Sequence, residues 1–153
     1  MKLISHRGNT HGPKPDRENS PDYILKTIEA GFDVEVDVWY VNGVWMLGHD
    51  GPVHPMGSYI LYHPKLWRHA KNLPALRRML EAGVHCFWHQ DDARTLTSQG
   101  YIWTHEGAEY DERSIIYLPA APVETPRVYG ICSDYVGLIQ PPRPPGPVPG
   151  REA

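Results

Sequence analysis

Two acidic residues spaced two positions apart give the clearest chemical signal in the chain. Glu35 and Asp37 alternate with valines in the segment GFDVEVDVWYVNGVWMLGHD, residues 31–50. This period of two predicts a β-strand with valines on one face and both carboxylates on the other. Paired carboxylates suit a hard divalent cation, which prefers oxygen ligands. An edge strand with a solvated acidic face is the alternative, and the E-x-D pattern alone leaves it open.

A tight turn follows that strand and brings a histidine back towards it. Asn42 and Gly43 both tolerate positive φ, so the pair predicts a two-residue β-hairpin. The return strand, residues 44–48, then delivers His49 and Asp50 at its end. Two carboxylates and a histidine are therefore expected on one small, rigid piece of scaffold.

Four short motifs follow one another near the start of the chain. They are His-Arg-Gly at residues 6–8, Glu-Asn-Ser at 18–20, Glu-x-Asp at 35–37 and His-Asp at 49–50. In this order they resemble the glycerophosphodiester phosphodiesterase family. The resemblance is dense over residues 4–50, about a third of the chain, and thinner beyond. Each motif is weak alone, and the four in sequence are specific.

The resemblance implies that His6 and His49 are the general acid and general base at a phosphodiester. An imidazole pKa near 6.5 suits proton transfer at cytosolic pH. The family reaction begins when a neighbouring glycerol hydroxyl attacks phosphorus, and water then opens the resulting cyclic phosphate. Which histidine serves in which step stays open.

The resemblance also implies a metal site. Glu35 and Asp37 carry over as ligands of a divalent metal ion, Mg²⁺, Ca²⁺ or Mn²⁺, with Glu18 as a third ligand. His69, in His-Ala-Lys, stands where the family usually has a carboxylate. Imidazole is a softer ligand, which adds Zn²⁺ to the candidates and disfavours Ca²⁺. A lining histidine bonded to a neighbour is the alternative for His69.

Further positions complete the expected site. Arg7 is expected to bind phosphate through its fork-shaped guanidinium, or alternatively to pair with a carboxylate. Lys71 matches a family lysine and is a second phosphate contact, and Trp103 is expected to form a wall of the substrate pocket. The segment Gly-Ile-Cys-Ser-Asp-Tyr, residues 130–135, resembles the family's closing strand. Its Asp134 is a supporting carboxylate or a structural ion-pair partner.

Composition bounds the class of protein. At 153 residues, with 41% hydrophobic and 22% charged residues, the chain is expected to form one globular domain. A net charge of −3 without a basic tract argues against nucleic-acid binding. No apolar run is long enough for a membrane span, and no signal peptide is evident, so a cytoplasmic location is expected. Cys86 and Cys132 are then expected to be buried thiols, although the sequence leaves their pairing open.

Hydrophobic periodicity, together with the glycine, proline and capping residues at element ends, predicts the remaining helices and strands. A helix is expected from Pro21 to a stop at Gly31, and a second over residues 73–81, capped by Asn72. A loop is expected over residues 51–64, and one or two helical turns within residues 92–100. Further strands are predicted at residues 1–8, 66–71, 85–89, 101–105, 114–118 and 130–135.

Strands that alternate with short helices predict a parallel sheet with helices outside. The resemblance implies a (β/α)8 barrel with its site at the carboxyl ends of the strands. A complete barrel needs about 250 residues, so the expectation is a compressed TIM barrel with shortened or missing helices over residues 1–140. Residues 141–153 form a proline-rich tail. That tail or a second subunit, in a homo-oligomer, is expected to cover exposed outer strands.

The expected function is metal-dependent hydrolysis of a small glycerophosphodiester to glycerol 3-phosphate and an alcohol. Two alternatives stay open. One is a phosphodiesterase acting on another diester, such as a phospholipid head group or a cyclic or nucleotide-linked phosphate. The other is a phosphate-binding barrel without turnover.

Overall fold

A computed structural model describes residues 1–140 as a curled, mostly β structure. The predicted tail, residues 141–153, lies outside the described residues. The strands are β1 (Lys2–His6), β2 (Asp33–Val41), β3 (Val44–Leu47), β4 (His54–Pro55), β5 (Leu66–Ala70), β6 (Cys86–Phe87), β7 (Arg94–Leu96), β8 (Ile102–His105), β9 (Ser114–Leu118) and β10 (Gly130–Ser133). The helices are α1 (Pro21–Glu29), α2 (Ser58–Leu61), α3 (Leu73–Glu81) and a 3₁₀ turn, Val136–Leu138.

The predicted compressed TIM barrel is wrong. Within residues 1–140, ten strands form a mixed sheet curled into a half-barrel, with only three short α-helices. The connections after β8 and β9, residues 106–113 and 119–129, contain no helix. Both connections are shorter than the dozen or more residues that a crossover helix between parallel strands usually takes, so the alternation of strand and helix stops after α3.

Parallel pairing nevertheless dominates the sheet. The strands of the described region run in the order β6-β5-β2-β1-β10-β9-β8, each parallel to its neighbours. The short strands β3, β4 and β7 are antiparallel additions at the ends of longer ones. Because the seven parallel strands point the same way, their carboxyl ends meet at one edge of the half-barrel.

The structure confirms the predicted hairpin. β2 and β3 pair antiparallel, with Val41 opposite Val44 and Val38 opposite Leu47. Asn42 has φ 49° and Gly43 has φ 79°, the left-handed conformations that a tight two-residue turn requires. The hairpin therefore returns the chain to the level of Asp37, whose carbonyl accepts from the Gly48 amide, and residue 49 follows directly.

Both predicted longer helices are confirmed and lie outside the sheet. Pro21 occupies the first turn of α1, and the Asn72 side chain accepts a hydrogen bond from the Ala75 amide to cap α3. Their apolar faces pack on the valine face of β2. The buried members of this outer core include Ile24, Val34, Val36, Val38, Ala75 and Met79.

Two local predictions were wrong in detail. The predicted loop at residues 51–64 contains the short strand β4 and helix α2. The helical turns predicted within residues 92–100 are instead strand β7, which pairs antiparallel with β8. β7 contains a β-branched threonine between two longer side chains, and it covers β8 at the place where a crossover helix was expected.

The floor of the half-barrel is apolar. Its buried residues are Ile4, Trp67, Phe87, Trp103, Ile115 and Cys132. Cys86 and Cys132 are buried and free, as predicted. Among the helices of the described region, none has the length and apolar character that crossing a bilayer demands.

His85 lies at the edge of this floor as a half-buried ring. Its Nε2 is 2.7 Å from the Thr97 hydroxyl, and its ring packs 4.5 Å from that of Trp67. Burial, with a smaller contribution from the charge of Arg68, lowers the pKa of His85 to about 4. The guanidinium of Arg68 is itself buried and donates to backbone carbonyls, including that of His85.

We expect His85 to make the folded state less stable in acid. Its folded pKa lies below the unfolded value, so the unfolded chain binds the extra proton as the pH falls from about 6.5 towards 4. The free energy of unfolding should therefore drop over this window, by on the order of 1–2 kcal/mol from this group once solvent screening of the partly exposed ring is included. His85→Phe keeps the ring packing and should flatten that part of the dependence. Urea unfolding of both proteins at pH 7 and 4.5 measures it, and equal losses would assign the dependence to other groups.

Candidate functional site

A cavity of about 340 Å³ opens at the edge where the parallel strands end. Eight of the nine sequence-predicted site residues line it: His6, Arg7, Glu35, Asp37, His49, His69, Lys71 and Trp103. Glu18 is the ninth and does not line it. Trp103 is also a member of the apolar floor, so it forms the bottom of the cavity and part of the core.

The two carboxylates on β2 are deeply buried. Glu35 is 3% exposed and Asp37 is 1% exposed. The solvated acidic edge considered for this strand is therefore wrong, because β2 lies inside the sheet between β1 and β5. Burying two carboxylates side by side is costly unless positive charge or hydrogen bonds compensate.

His69 faces both carboxylates from the neighbouring strand β5. Its Nδ1 lies 3.2 Å from Asp37 Oδ1 and 3.9 Å from Glu35 Oε1. Its Nε2 donates to the His89 carbonyl at 2.9 Å, because a carbonyl oxygen can only accept. The neutral ring therefore presents a lone pair at Nδ1, and that lone pair faces carboxylate oxygens. Repulsion of this kind is relieved by a proton or by a metal cation.

Oxygen atoms at the same place lack partners. Neither Glu35 Oε2 nor Asp37 Oδ1 has a hydrogen-bond donor within the described part of the chain. One ligand atom from each of Glu35, Asp37 and His69 can be chosen so that all lie within 4.8 Å of one another. Such an arrangement of two carboxylates and one imidazole fits a divalent cation.

The surroundings of the two acids shift their pKa values in opposite directions. Burial and the charge of Asp37 raise the pKa of Glu35 well above its usual value. Burial also acts to raise the pKa of Asp37, but the neighbouring polar and charged side chains, His69 first and then Arg7 and Asn19, outweigh it, and the net pKa is lowered. Without a cation, Asp37 is therefore the ionised member of the pair.

Asn19 holds Asp37 in place. Its amide Nδ2 donates to Asp37 Oδ2 at 2.8 Å, and its Oδ1 accepts from the Asp37 backbone N–H at 3.0 Å. Asn19 is buried and has φ 60°, a left-handed conformation that asparagine tolerates better than most residues. The middle residue of the Glu-Asn-Ser motif is thus the one that contacts the acid pair.

Glu18 lies next to the acid pair but outside the three-residue cluster. Its Oε2 accepts from Arg7 Nη1 at 3.3 Å, and its Oε1 accepts from Asn9 Nδ2 at 2.8 Å. The structure therefore places this predicted ligand where it holds Arg7. Asn9, which sequence reasoning missed, joins Glu18 to Asp134 through a second hydrogen bond of 2.7 Å.

Two cationic side chains border the acids. Arg7 Nε lies 3.1 Å from Asp37 Oδ2, an ion pair without a hydrogen bond at that nitrogen. Burial alone would lower the pKa of Arg7, but Glu35, Asp37 and Glu18 raise it above its usual value. Lys71 Nζ lies 3.9 Å from Asp37 Oδ1. Both cations also line the cavity, so they can meet an anion that enters it.

His6 and His49 are each oriented by a carboxylate. His6 Nδ1 donates to Asp134 Oδ1 at 2.9 Å, and His49 Nδ1 donates to Asp50 Oδ1 at 2.7 Å. In the neutral rings this leaves a lone pair on each Nε2. The His6 pair is largely buried, whereas the His49 and Asp50 side chains are 44% and 98% exposed. His6 Nε2 lies 3.8 Å from Glu35 Oε2.

His105 and Tyr117 also line the cavity, and neither was singled out from the sequence. His105 ends β8 as His6 ends β1, and its Nε2 lies 2.6 Å from Nε2 of His89. Burial lowers the pKa of both rings. Tyr117 on β9 packs against His6, with 4.9 Å between ring centroids. His105 was missed because no family motif covers it. A search for polar residues at the ends of predicted strands would have found it.

Comparison with known proteins gives no match: no protein-family model, curated protein or solved structure is similar to this chain.

Replacing Asn19 should destabilise the fold. Asn19→Ala removes two buried hydrogen bonds to Asp37 and places alanine at positive φ, so a loss on the order of 2–4 kcal/mol is expected. Asn19→Gly removes the same bonds but tolerates the backbone, and it should recover about 1 kcal/mol. Urea unfolding measures both variants. A loss below about 0.5 kcal/mol for Asn19→Ala would contradict the role assigned to these bonds.

Proposed function

We propose that this protein is a metal-dependent phosphodiesterase that cleaves a small glycerophosphodiester to glycerol 3-phosphate and an alcohol. The observation that carries the proposal is the cluster of Glu35, Asp37 and His69 in the same cavity as two carboxylate-oriented histidines. The motif order near the start of the chain supports the same reaction class.

Glu35, Asp37 and His69 would hold the divalent cation. The partnerless oxygens of both acids and the lone pair at His69 Nδ1 fit that role. A cation bound there would neutralise phosphate charge and lower the pKa of the attacking hydroxyl. An imidazole in the ligand set favours Mn²⁺ or Zn²⁺ over Ca²⁺.

Arg7 and Lys71 bind the phosphate in this scheme. Arg7 is held by Glu18 and Asp37, so its guanidinium is already oriented before an anion enters. A fixed guanidinium can donate two parallel hydrogen bonds to phosphate oxygens, whereas Lys71 contributes a point charge.

His6 and His49 move the protons. His6 Nε2 accepts the proton of the substrate's glycerol hydroxyl as its oxygen forms a bond to phosphorus. The bond from phosphorus to the second alcohol breaks, and that alcohol takes a proton from Nε2 of His49 at the exposed mouth of the cavity. In this scheme His49 starts the step as the imidazolium and ends it as the neutral ring. Water then opens the cyclic phosphate, with the two histidines in reversed roles.

Metal binding should depend on Glu35 and much less on Glu18. Glu35→Gln keeps the shape and removes the charge, and it should weaken Mn²⁺ binding by more than about 100-fold. Glu18→Gln is the matched control, and because Glu18 only holds Arg7 and Asn9 it should cost no more than about tenfold. Calorimetric titration with Mn²⁺ measures both. Unchanged affinity in Glu35→Gln would remove the metal site, and a larger loss in Glu18→Gln would restore Glu18 as a ligand.

Asp134 and Asp50 should differ sharply in their effect on turnover. Asp134→Asn removes the buried acceptor that fixes the His6 tautomer, and kcat should fall by about 10²–10⁴, as for loss of a general base. Asp50→Asn changes an exposed pair and should cost less than about tenfold, because solvated ion pairs contribute little. Release of glycerol from glycerophosphoglycerol in the presence of Mn²⁺ measures both. Equal losses would show that His6 and His49 depend equally on their carboxylates.

A further inference from the structure

A pair of histidines forms the cavity wall beyond His69. His89 follows β6 and His105 ends β8, and their near-parallel rings lie 4.4 Å apart with both Nε2 atoms 2.6 Å from each other. A hydrogen bond between two imidazole nitrogens needs a proton on one and a lone pair on the other. The pair therefore cannot be doubly protonated while the bond exists.

Such a pair offers one hydrogen-bond donor and one acceptor, and a hydroxyl group can bond to both. If the two rings move apart from this 2.6 Å separation, a hydroxyl can enter between the Nε2 atoms, accept from the N–H and donate to the lone pair. Hydroxyl binding replaces the single bond between the two rings by two bonds to the hydroxyl, and it leaves the charge of the pair unchanged. A quaternary ammonium can do neither, and a primary ammonium can only donate. Gln90, the next residue along the chain, also lines the cavity and can both donate and accept towards a second hydroxyl.

The aromatic side chains of the cavity are already packed against other rings. Phe87 is stacked between His69, at 5.2 Å and 4°, and Trp103, at 4.7 Å and 24°. The Tyr117 ring packs against His6 at 4.9 Å and His105 at 5.9 Å. Binding of a quaternary ammonium relies on open aromatic faces. Among the described lining residues, no cage of such faces is present.

The charges of the cavity point the same way. Arg7 and Lys71 balance Glu35 and Asp37 in the cavity lining, so a divalent cation held by those acids would add an excess of positive charge there. The carboxylates of Glu18 and Asp134, which bond to Arg7 and His6 from outside the lining, offset part of it. A positively charged alcohol would be repelled there, and a neutral one would not.

We propose that the His89–His105 pair is the subsite for the alcohol half of the diester and selects a neutral, hydroxyl-bearing alcohol over an aminoalcohol. This inference rests on the proposed function and names its substrate class. The pair can both donate and accept, and it joins the segment after β6 to the end of β8.

The test compares two diesters that differ only in the alcohol. With Mn²⁺, wild-type kcat/KM should be about fivefold higher for glycerophosphoglycerol than for glycerophosphocholine, as the net gain of one neutral hydrogen bond would give. His105→Phe keeps the ring packing and removes both nitrogens, so this ratio should fall towards one. His105→Gln retains a donor and an acceptor near the Nε2 position and should restore part of the preference.

The opposite outcomes are equally clear. A wild-type preference for the choline diester, or an unchanged ratio in His105→Phe with both rates lowered, would overturn the subsite. Turnover of neither diester would overturn the proposed function instead. In that case, NMR of the histidine ring protons during titration with each diester decides. Shifts of the His89 and His105 signals with glycerophosphoglycerol alone support the subsite, and equal or absent shifts reject it.

Discussion

The burial of two carboxylates side by side on β2 is the constraint that the rest of the site satisfies. Water does not solvate Glu35 and Asp37, so the protein must supply the donors and positive charge that ionised acids require. Arg7 and Asn19 do so from left-handed conformations, with φ 57° and 60°, each costing on the order of 1 kcal/mol. The strain persists because the Asn19 backbone N–H donates to the Arg7 carbonyl, which joins the two loops beneath the acid pair.

The side chains on the inner face of the sheet form two layers, an apolar floor and a polar rim. Side chains two positions apart share a face, so an apolar residue near the floor is followed by a polar one at the rim. Ile4 precedes His6 on β1, Trp67 precedes His69 on β5, and Trp103 precedes His105 on β8. The register repeats this order on β9, where Ile115 lies opposite Trp103 and Tyr117 lies opposite His105. The cavity therefore has an apolar floor and a ring of titratable groups above it, and both come from strand periodicity.

Local signals in the sequence predicted the hairpin, α1, α3 and most strands, because each depends on neighbouring residues. Asn42-Gly43 and the Asn72 cap act within a few positions. The overall fold depends on which strands meet across the chain, and no local pattern carries that information. The resemblance suggested a TIM barrel, whereas the described residues form a half-barrel with three short α-helices. Eight predicted site residues line the cavity because they lie in or just after strands whose carboxyl ends meet at one edge. His105 lies at that edge too, but no sequence motif marks it.

The histidines of the cavity differ in how their second nitrogen is held. Asp134 fixes His6 through Nδ1, the His89 carbonyl fixes His69 through Nε2, and each ring presents the other nitrogen. These two rings have a set direction before any ligand binds, as a base and a metal ligand need. The His89–His105 pair instead satisfies itself through a mutual bond. Such a bond opens only for a group that can replace both halves of it, and this requirement makes the pair selective rather than reactive.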